Sequence, residues 1–187
     1  MNSRYNKKLL KVSDRIITRI AKNDVEAFEQ LYYDTSGAVF GLAMSIVANQ
    51  ADAEDVVQDT YISINNNAYK YQGNGKAMAW IFTITRNHAL MKIRDRKKRI
   101  HVNLDDVHNL GVESNVEQEM YNEQLIQLLL KVLKEDERQI VIMYVMSNMK
   151  HKEISDILQI PLSTVLSKYN RSLKKLKTEM EANEYEK

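Results

Sequence analysis

One proline and five glycines in 187 residues leave few places where a chain must turn. Proline breaks helix interiors and glycine weakens them, so their scarcity favours long helices joined by short turns. Leu, Ile, Lys, Glu and Gln are plentiful, and all are tolerated well in helices. The chain is expected to be all-α. Sheet-rich folds and glycine-rich nucleotide-binding folds are disfavoured. With 44% apolar and 28% charged residues, the composition is that of a folding chain. The length allows one ordinary domain or two small ones.

Cysteine is absent. Disulfides, thiol nucleophiles, thiolate metal sites and iron–sulfur clusters are thereby excluded, which fits a reducing compartment. The basic opening MNSRYNKKLLKVSDR lacks a following apolar stretch, so no signal peptide is expected. The longest mostly apolar run, Ala38 to Ala48, is about half of a bilayer span, so no membrane insertion is expected. A soluble, cytoplasmic protein is anticipated.

The net charge of +2 conceals strong local differences. Residues 50–66 carry −4, residues 86–102 carry +6, residues 103–124 carry −6 and residues 150–178 carry +5. The acidic stretch 103–119 has weak helical periodicity and little core material, so it is expected to be a linker. Residues 1–100 then form a first helical domain and 120–187 a second, with 101–119 between them.

Asn23 or Asp24 is placed to cap a helix bearing Phe28, Leu31 and Tyr32. AVFGLAMSIVA is apolar nearly all round and should be a buried helix. Asp52 has the position of an N-cap, with Asp55 three residues on. A loop is expected over 69–77 and a helix over about 78–96. Further helices are expected at about 119–134, 136–147, 151–158 and 162–180. The β-branched run IVIMYVM is assigned to the second of these as a buried helix.

The C-terminal segment HKEISDILQIPLSTVLSKYNRSLKKLK has the pattern of a helix-turn-helix. Ile154, Ile157 and Leu158 give the first helix its inner face, and Gln159-Ile160-Pro161 the turn. At 100° per residue, Leu162, Val165, Tyr169, Leu173 and Leu176 cluster on one side of the second helix. Thr164, Ser167, Lys168, Arg171, Lys174 and Lys175 face the other way, and Ser163 stands at the helix start. Short hydroxyls near the N-terminal end with cations beyond suit base edges and phosphates in a major groove. The plainer reading, a solvated lysine-rich face, does not account for the preceding helix and turn.

Along DAEDVVQDTYISI, the stripe Ala53, Val56, Val57, Thr60 and Ile64 points inward. Asp55, Gln58, Asp59 and Ile62 point outward, and an apolar Ile62 among acids suits a basic protein partner. An ordinary acidic surface remains open on this feature alone. In AWIFTITRNHALMKIRDRKKR, aromatic residues lead into a dense basic run, with Tyr69 and Tyr71 upstream. Aromatics beside cations can stack on unpaired bases. Core packing is the favoured reading for Trp80, while Tyr71 is evenly balanced. His88, His101, His108 and His151 lack ligand spacing, and the acids at 52–59 have no histidine near them. No catalytic residue, metal site or cofactor is expected.

Taken together, DVEAFEQLY, ADAEDVVQDTYISI, AWIFTITRNHALMKIRDRKKR and the helix-turn-helix resemble, in order and spacing, a bacterial RNA polymerase sigma factor of the extracytoplasmic-function group. The resemblance covers nearly the whole chain. It implies a sigma factor that directs core RNA polymerase to promoters and helps to melt the −10 element. Asp52, Glu54, Asp55, Gln58 and Asp59, with Ile62, would dock on core polymerase. The loop around Tyr71, Asn74 and Lys76 would capture a flipped −10 base. Trp80, Arg86, Asn87, Arg94, Arg96, Lys97, Lys98 and Arg99 would recognise and melt that element. Ser163, Thr164, Ser167, Lys168, Arg171, Lys174 and Lys175 would face the −35 element. An anti-sigma factor is a further implied partner. Two departures bear on promoter preference: Gln159 stands where the group usually has Gly, and Leu166 where it usually has Lys. A stand-alone helix-turn-helix regulator, a helical metal-dependent enzyme and a helical adaptor are the rival functions.

Overall fold

The computed structural model describes the backbone over residues 12–102 and 120–185, and side chains over 12–98 and 124–182. The expected linker, residues 103–119, lies outside the described residues, as does the side chain of Arg99. Among the described residues all regular structure is helical. The α-helices are α1 (Asp14–Ile20), α2 (Val25–Val47), α3 (Gln50–Asn67), α4 (Ala77–Val102), α5 (Met120–Val132), α6 (Glu135–Ser147), α7 (His151–Leu158) and α8 (Leu162–Tyr185). A 3-10 turn, Ala68–Lys70, follows α3.

Local sequence sets most of these ends. Asp24 caps α2 by accepting from Ala27 N at 3.0 Å. The apolar run 38–48 does not form a helix of its own but continues α2, because Gly37 and Gly41 are accommodated within it. Asn49, not Asp52, caps α3: its Oδ1 accepts from Asp52 N at 2.9 Å, which puts Asp52 in the first turn. There its charge still complements the helix N-terminus. Helix α1 was not anticipated. Ser13 is its N-cap, accepting from Arg15 N at 3.3 Å.

IVIMYVM is helical as expected, within α6, with Ile140, Val141, Ile142 and Met143 buried. Helix α7 ends on Gln159 at φ 57°, the left-handed conformation that glycine adopts most readily. The Gln159 side chain donates to Asp156 O at 2.7 Å. The turn therefore keeps the path a glycine would give it. Pro161 lies just outside α8, and its carbonyl accepts from Thr164 N at 2.9 Å and Val165 N at 3.1 Å.

Helices α2, α3 and α4 pack on one another, and α5, α6, α7 and α8 form a second group. The second group rests directly on the first, through α2 against α5 and α6 and through α4 against α7. Buried side chains from both form one continuous apolar cluster. The seam is close because Gly41 has no side chain: a Cβ there would lie 2.7 Å from Met146 Sδ. Polar bonds flank it. Arg138 Nε donates to Ser45 O at 2.9 Å, and Arg86 Nε donates to Gln139 Oε1 at 3.1 Å.

Candidate nucleic-acid interface

The inner stripe of α3 is buried as its spacing predicts, joined by Tyr61, whose hydroxyl meets Thr35 Oγ1 at 2.6 Å. The acids of the outer face divide into two sets. Asp52 is held by Arg96 at 3.2 Å and by Lys92 at 3.6 Å, and Asp55 is paired with Lys92. These carboxylates are bound to α4. Glu54, Gln58, Asp59 and Ile62 face solvent, with Ile62 58% exposed. Glu54 accepts only a local bond, from Gln50 Nε2 at 3.0 Å. The outward set is thus an apolar residue ringed by two acids and an amide, arranged to meet cations around an apolar contact.

Between the 3-10 turn and α4, residues 71–76 form a loop without regular structure. Gly73 and Gly75 take positive φ, 60° and 75°. Tyr71 is its hub. Its ring lies 5.2 Å from that of Trp80, and its hydroxyl donates to Asp14 Oδ1 at 2.6 Å and accepts from Lys76 N at 3.1 Å. Burial, together with the Asp14 hydrogen bond and charge, pushes the Tyr71 phenol up to about 12. Asp14 Oδ2 accepts from Gly75 N at 2.6 Å. Both Tyr71 and Trp80 are half-buried, so each serves packing and also shows an edge to solvent. Tyr71, Asn74, Lys76 and Trp80 line one side of a cavity of about 330 Å³, and Glu153, Asp156 and Ile157 of α7 line the other.

From Trp80 a strip runs down α4. At 100° per residue, Trp80, Thr83, Asn87, Met91, Arg94 and Lys98 fall on one side, and all but half-buried Trp80 are exposed. Lys97 stands exposed beside it. Arg86 turns to Gln139, and Arg96 lies on the opposite side against Asp52 and Val47 O. The basic residues of α4 therefore do not share one face. Arg94, Lys97 and Lys98 are open, whereas Arg86 and Arg96 are engaged within the chain.

The helix-turn-helix is formed by α7 and α8. Val165, Ser172 and Leu176 of α8 are buried, and Tyr169 packs 4.6 Å from Tyr144 and 4.9 Å from His151. Leu162 and Leu173, expected on the inner face, are exposed, because α5, α6 and α7 cover only part of the apolar side. On the opposite side, Ser163, Ser167, Arg171 and Lys174 are exposed, and Thr164 is half-buried. Lys168 pairs with Asp136. Lys175 reaches Glu137 at 2.7 Å, and Arg171 Nε lies 3.6 Å from the same carboxylate. Burial alone would raise the Glu137 carboxyl. The Lys175 bond, the Lys134 backbone N–H and the Arg171 charge outweigh it and hold the group below its usual range.

Asp14, Asp136, Glu137 and Gln139 were not singled out from sequence. Each meets its partner from a remote position, 57 residues away for Asp14 and Tyr71, and pairings at that separation leave no local pattern. The adjacent Ser13 and Asp14 are nonetheless a helix-start signal that would have revealed α1.

Comparison with known proteins gives two family models. Sigma-70 region 2 matches residues 31–99, which span most of α2, α3, the loop and most of α4. Sigma-70 region 4 matches residues 123–176, which span most of α5, α6, α7 and much of α8. The chain is 24% identical over 172 residues to the ECF RNA polymerase sigma factor SigK of Mycobacterium tuberculosis H37Rv, covering 88% of this chain and 91% of that one. It is 28% identical over 85 residues to SigK of Mycolicibacterium vanbaalenii, covering 45% and 43%. The fold is similar to the sigma factor RpoE in complex with the anti-sigma factor NepR from Bartonella quintana, with TM-score 0.68, 21% identity, and 82% and 96% of the two chains covered. It is also similar to CnrH in complex with the cytosolic domain of CnrY, with TM-score 0.62, 19% identity, and 91% and 97% covered.

Proposed function

The chain belongs to the extracytoplasmic-function sigma factors, with sigma-70 regions 2 and 4, and from that membership we propose how its surfaces divide the work of promoter recognition. A sigma factor directs core RNA polymerase to promoters; its role is binding and positioning, and we assign it no reaction of its own. Its place of action is then the cytoplasm, with the polymerase.

One observation carries the division: a single chain has a strip on α4 running from half-buried Trp80 to exposed cations and an exposed hydroxyl-to-cation face on α8. The first suits single-stranded −10 DNA, with the loop 71–76 and Trp80 receiving a base and Arg94, Lys97 and Lys98 holding phosphates. Opening DNA costs a few kcal/mol per unstacked base, roughly, which capture of the base offsets. The second suits a −35 major groove, with Ser163 and Ser167 near base edges and Arg171 and Lys174 beyond. Glu54, Gln58, Asp59 and Ile62 form the core-polymerase contact. Tethering two modest DNA contacts on one polymerase raises overall affinity through effective concentration. An anti-sigma protein is the expected regulator, as the RpoE complex with the anti-sigma factor NepR suggests.

Run-off transcription with purified core enzyme and promoters from the same genome tests the reading. Initiation that depends on the added chain is expected. Failure to direct initiation at any promoter would refute it. Specific duplex binding without polymerase, as tight as with it, would instead favour a stand-alone regulator.

A further inference from the structure

The loop 71–76 has too little structure of its own to hold a shape. It contains two glycines at positive φ and no helical or strand ladder. Its internal support is Tyr71 N donating to Ala68 O at 3.1 Å, Lys76 N donating to the Tyr71 hydroxyl at 3.1 Å, and longer bonds to Asn74 Oδ1 from Lys76 N at 3.3 Å and the Tyr71 hydroxyl at 3.4 Å. Apart from the Tyr71 ring against Trp80, one carboxylate ties it to the body. Asp14 Oδ1 accepts from the Tyr71 hydroxyl and Oδ2 from the Gly75 N–H, both at 2.6 Å. One side chain thus clamps both ends of the loop.

Asp14 is not needed to cap its own helix, because Ser13 does that. Its carboxylate is committed instead to residues 57 and 61 positions away. Hydrogen bonds to an ionised acceptor are stronger than neutral ones, and this acceptor is used on both oxygens. Asp14 also precedes the segment matched by the region 2 model, which begins at residue 31.

We infer that Asp14 is a positioning residue for promoter opening: it sets the loop 71–76 in the shape that receives a −10 base. It touches no DNA and acts through Tyr71 and Gly75. The inference rests on the assignment of that loop to −10 capture.

The test uses the full chain with core polymerase. Permanganate reactivity of −10 thymines measures opening, and filter binding measures closed-complex affinity. Asp14→Ala should slow opening about tenfold, as expected for losing charged hydrogen bonds, while core affinity and closed-complex affinity stay within twofold. Asp14→Asn, which keeps one acceptor oxygen, should fall between. Tyr71→Phe removes the same bond from the other side, so adding it to Asp14→Ala should cost less than the product of the two single effects. In the free protein, Gly75 amide exchange should accelerate in Asp14→Ala while core amides of α2 remain protected. Wild-type opening by Asp14→Ala, a fully multiplicative double mutant, or equal loss of opening and core binding would each overturn the inference. If wild-type chain opens no promoter, the functional reading falls and takes the purpose of Asp14 with it. The exchange experiment separates the cases, since it reads the clamp without DNA.

Discussion

Glu137, only 3% exposed, meets Lys175 through its carboxylate at 2.7 Å across 38 positions and ties the start of α6 to α8. Glu137→Ala leaves Lys175 and Arg171 without that partner and the Lys134 N–H without its acceptor. We expect a loss of about 1–2 kcal/mol in unfolding free energy, since the cations left behind are partly in water and the main cost is the lost charged hydrogen bonds. Urea denaturation checks this.

Acid should act on the same link. The Glu137 carboxyl lies below its ordinary value in the folded chain, despite the opposing effect of burial, and Asp136 is likewise lowered beside Lys168. A depressed folded-state pKa stabilises the fold above the unfolded value and loses that contribution as pH falls through the folded value. Stability should therefore decline as pH falls below about 4.5, the unfolded value for Glu137. Glu137→Gln should be less stable at neutral pH and flatter across this range. Thermal melts from pH 6 to about pH 3 test the difference.

Gln159 occupies a left-handed position at the end of α7. A side chain there costs roughly 1 kcal/mol relative to glycine, and the bond from its amide to Asp156 O returns part of that. Gln159→Gly should raise stability by up to about 1 kcal/mol, measured by chemical denaturation.

The acids of α3 should separate in their effects. Glu54→Lys with Asp59→Lys reverses two exposed charges that pair with no other helix, so core-polymerase affinity should fall while the melting temperature barely moves. Asp55→Lys sets a cation against Lys92 and should also lower the melting temperature. Affinity capture on immobilised core enzyme, paired with calorimetry, distinguishes the two.

At the seam, Gly41→Val should destabilise the chain by about 1–3 kcal/mol, since a Cβ meets Met146 Sδ at 2.7 Å and Ile142 Cδ1 at 3.8 Å. Met146→Ala in the same chain should recover part of the loss, because it removes the atoms in the way. A double-mutant cycle by thermal unfolding reads the coupling.

Much of this architecture is visible in the chain because it depends on local pattern. The apolar spacing of α3 buries Ala53, Val56, Val57, Thr60 and Ile64 as expected, and the C-terminal helices fall close to their expected limits. Boundaries were less legible where two residues compete for one role, as Asn49 does with Asp52 for the cap of α3. The surfaces were harder still. The linear run of cations in α4 groups Arg96 with its basic neighbours but says nothing of Asp52 waiting on α3. Likewise, Lys168 and Lys175 look open until α6 brings Asp136 and Glu137 beneath them. Which charges remain available to a partner is a property of packing between helices, and no single helix encodes it.

The cavity beside Trp80 is walled on one side by α4 and its loop and on the other by Glu153 and Asp156 of α7. A base captured there, as proposed above, would enter a cavity that these two carboxylates also line. Helix α7 thus sets charge of the same sign as a phosphate beside the loop. If −10 capture requires α7 to withdraw, the apparent affinity of the loop for DNA would be its intrinsic affinity scaled by the fraction of molecules in that arrangement. A partner that held the two helix groups apart would then gain a tighter DNA-binding surface without contributing a single contact to DNA.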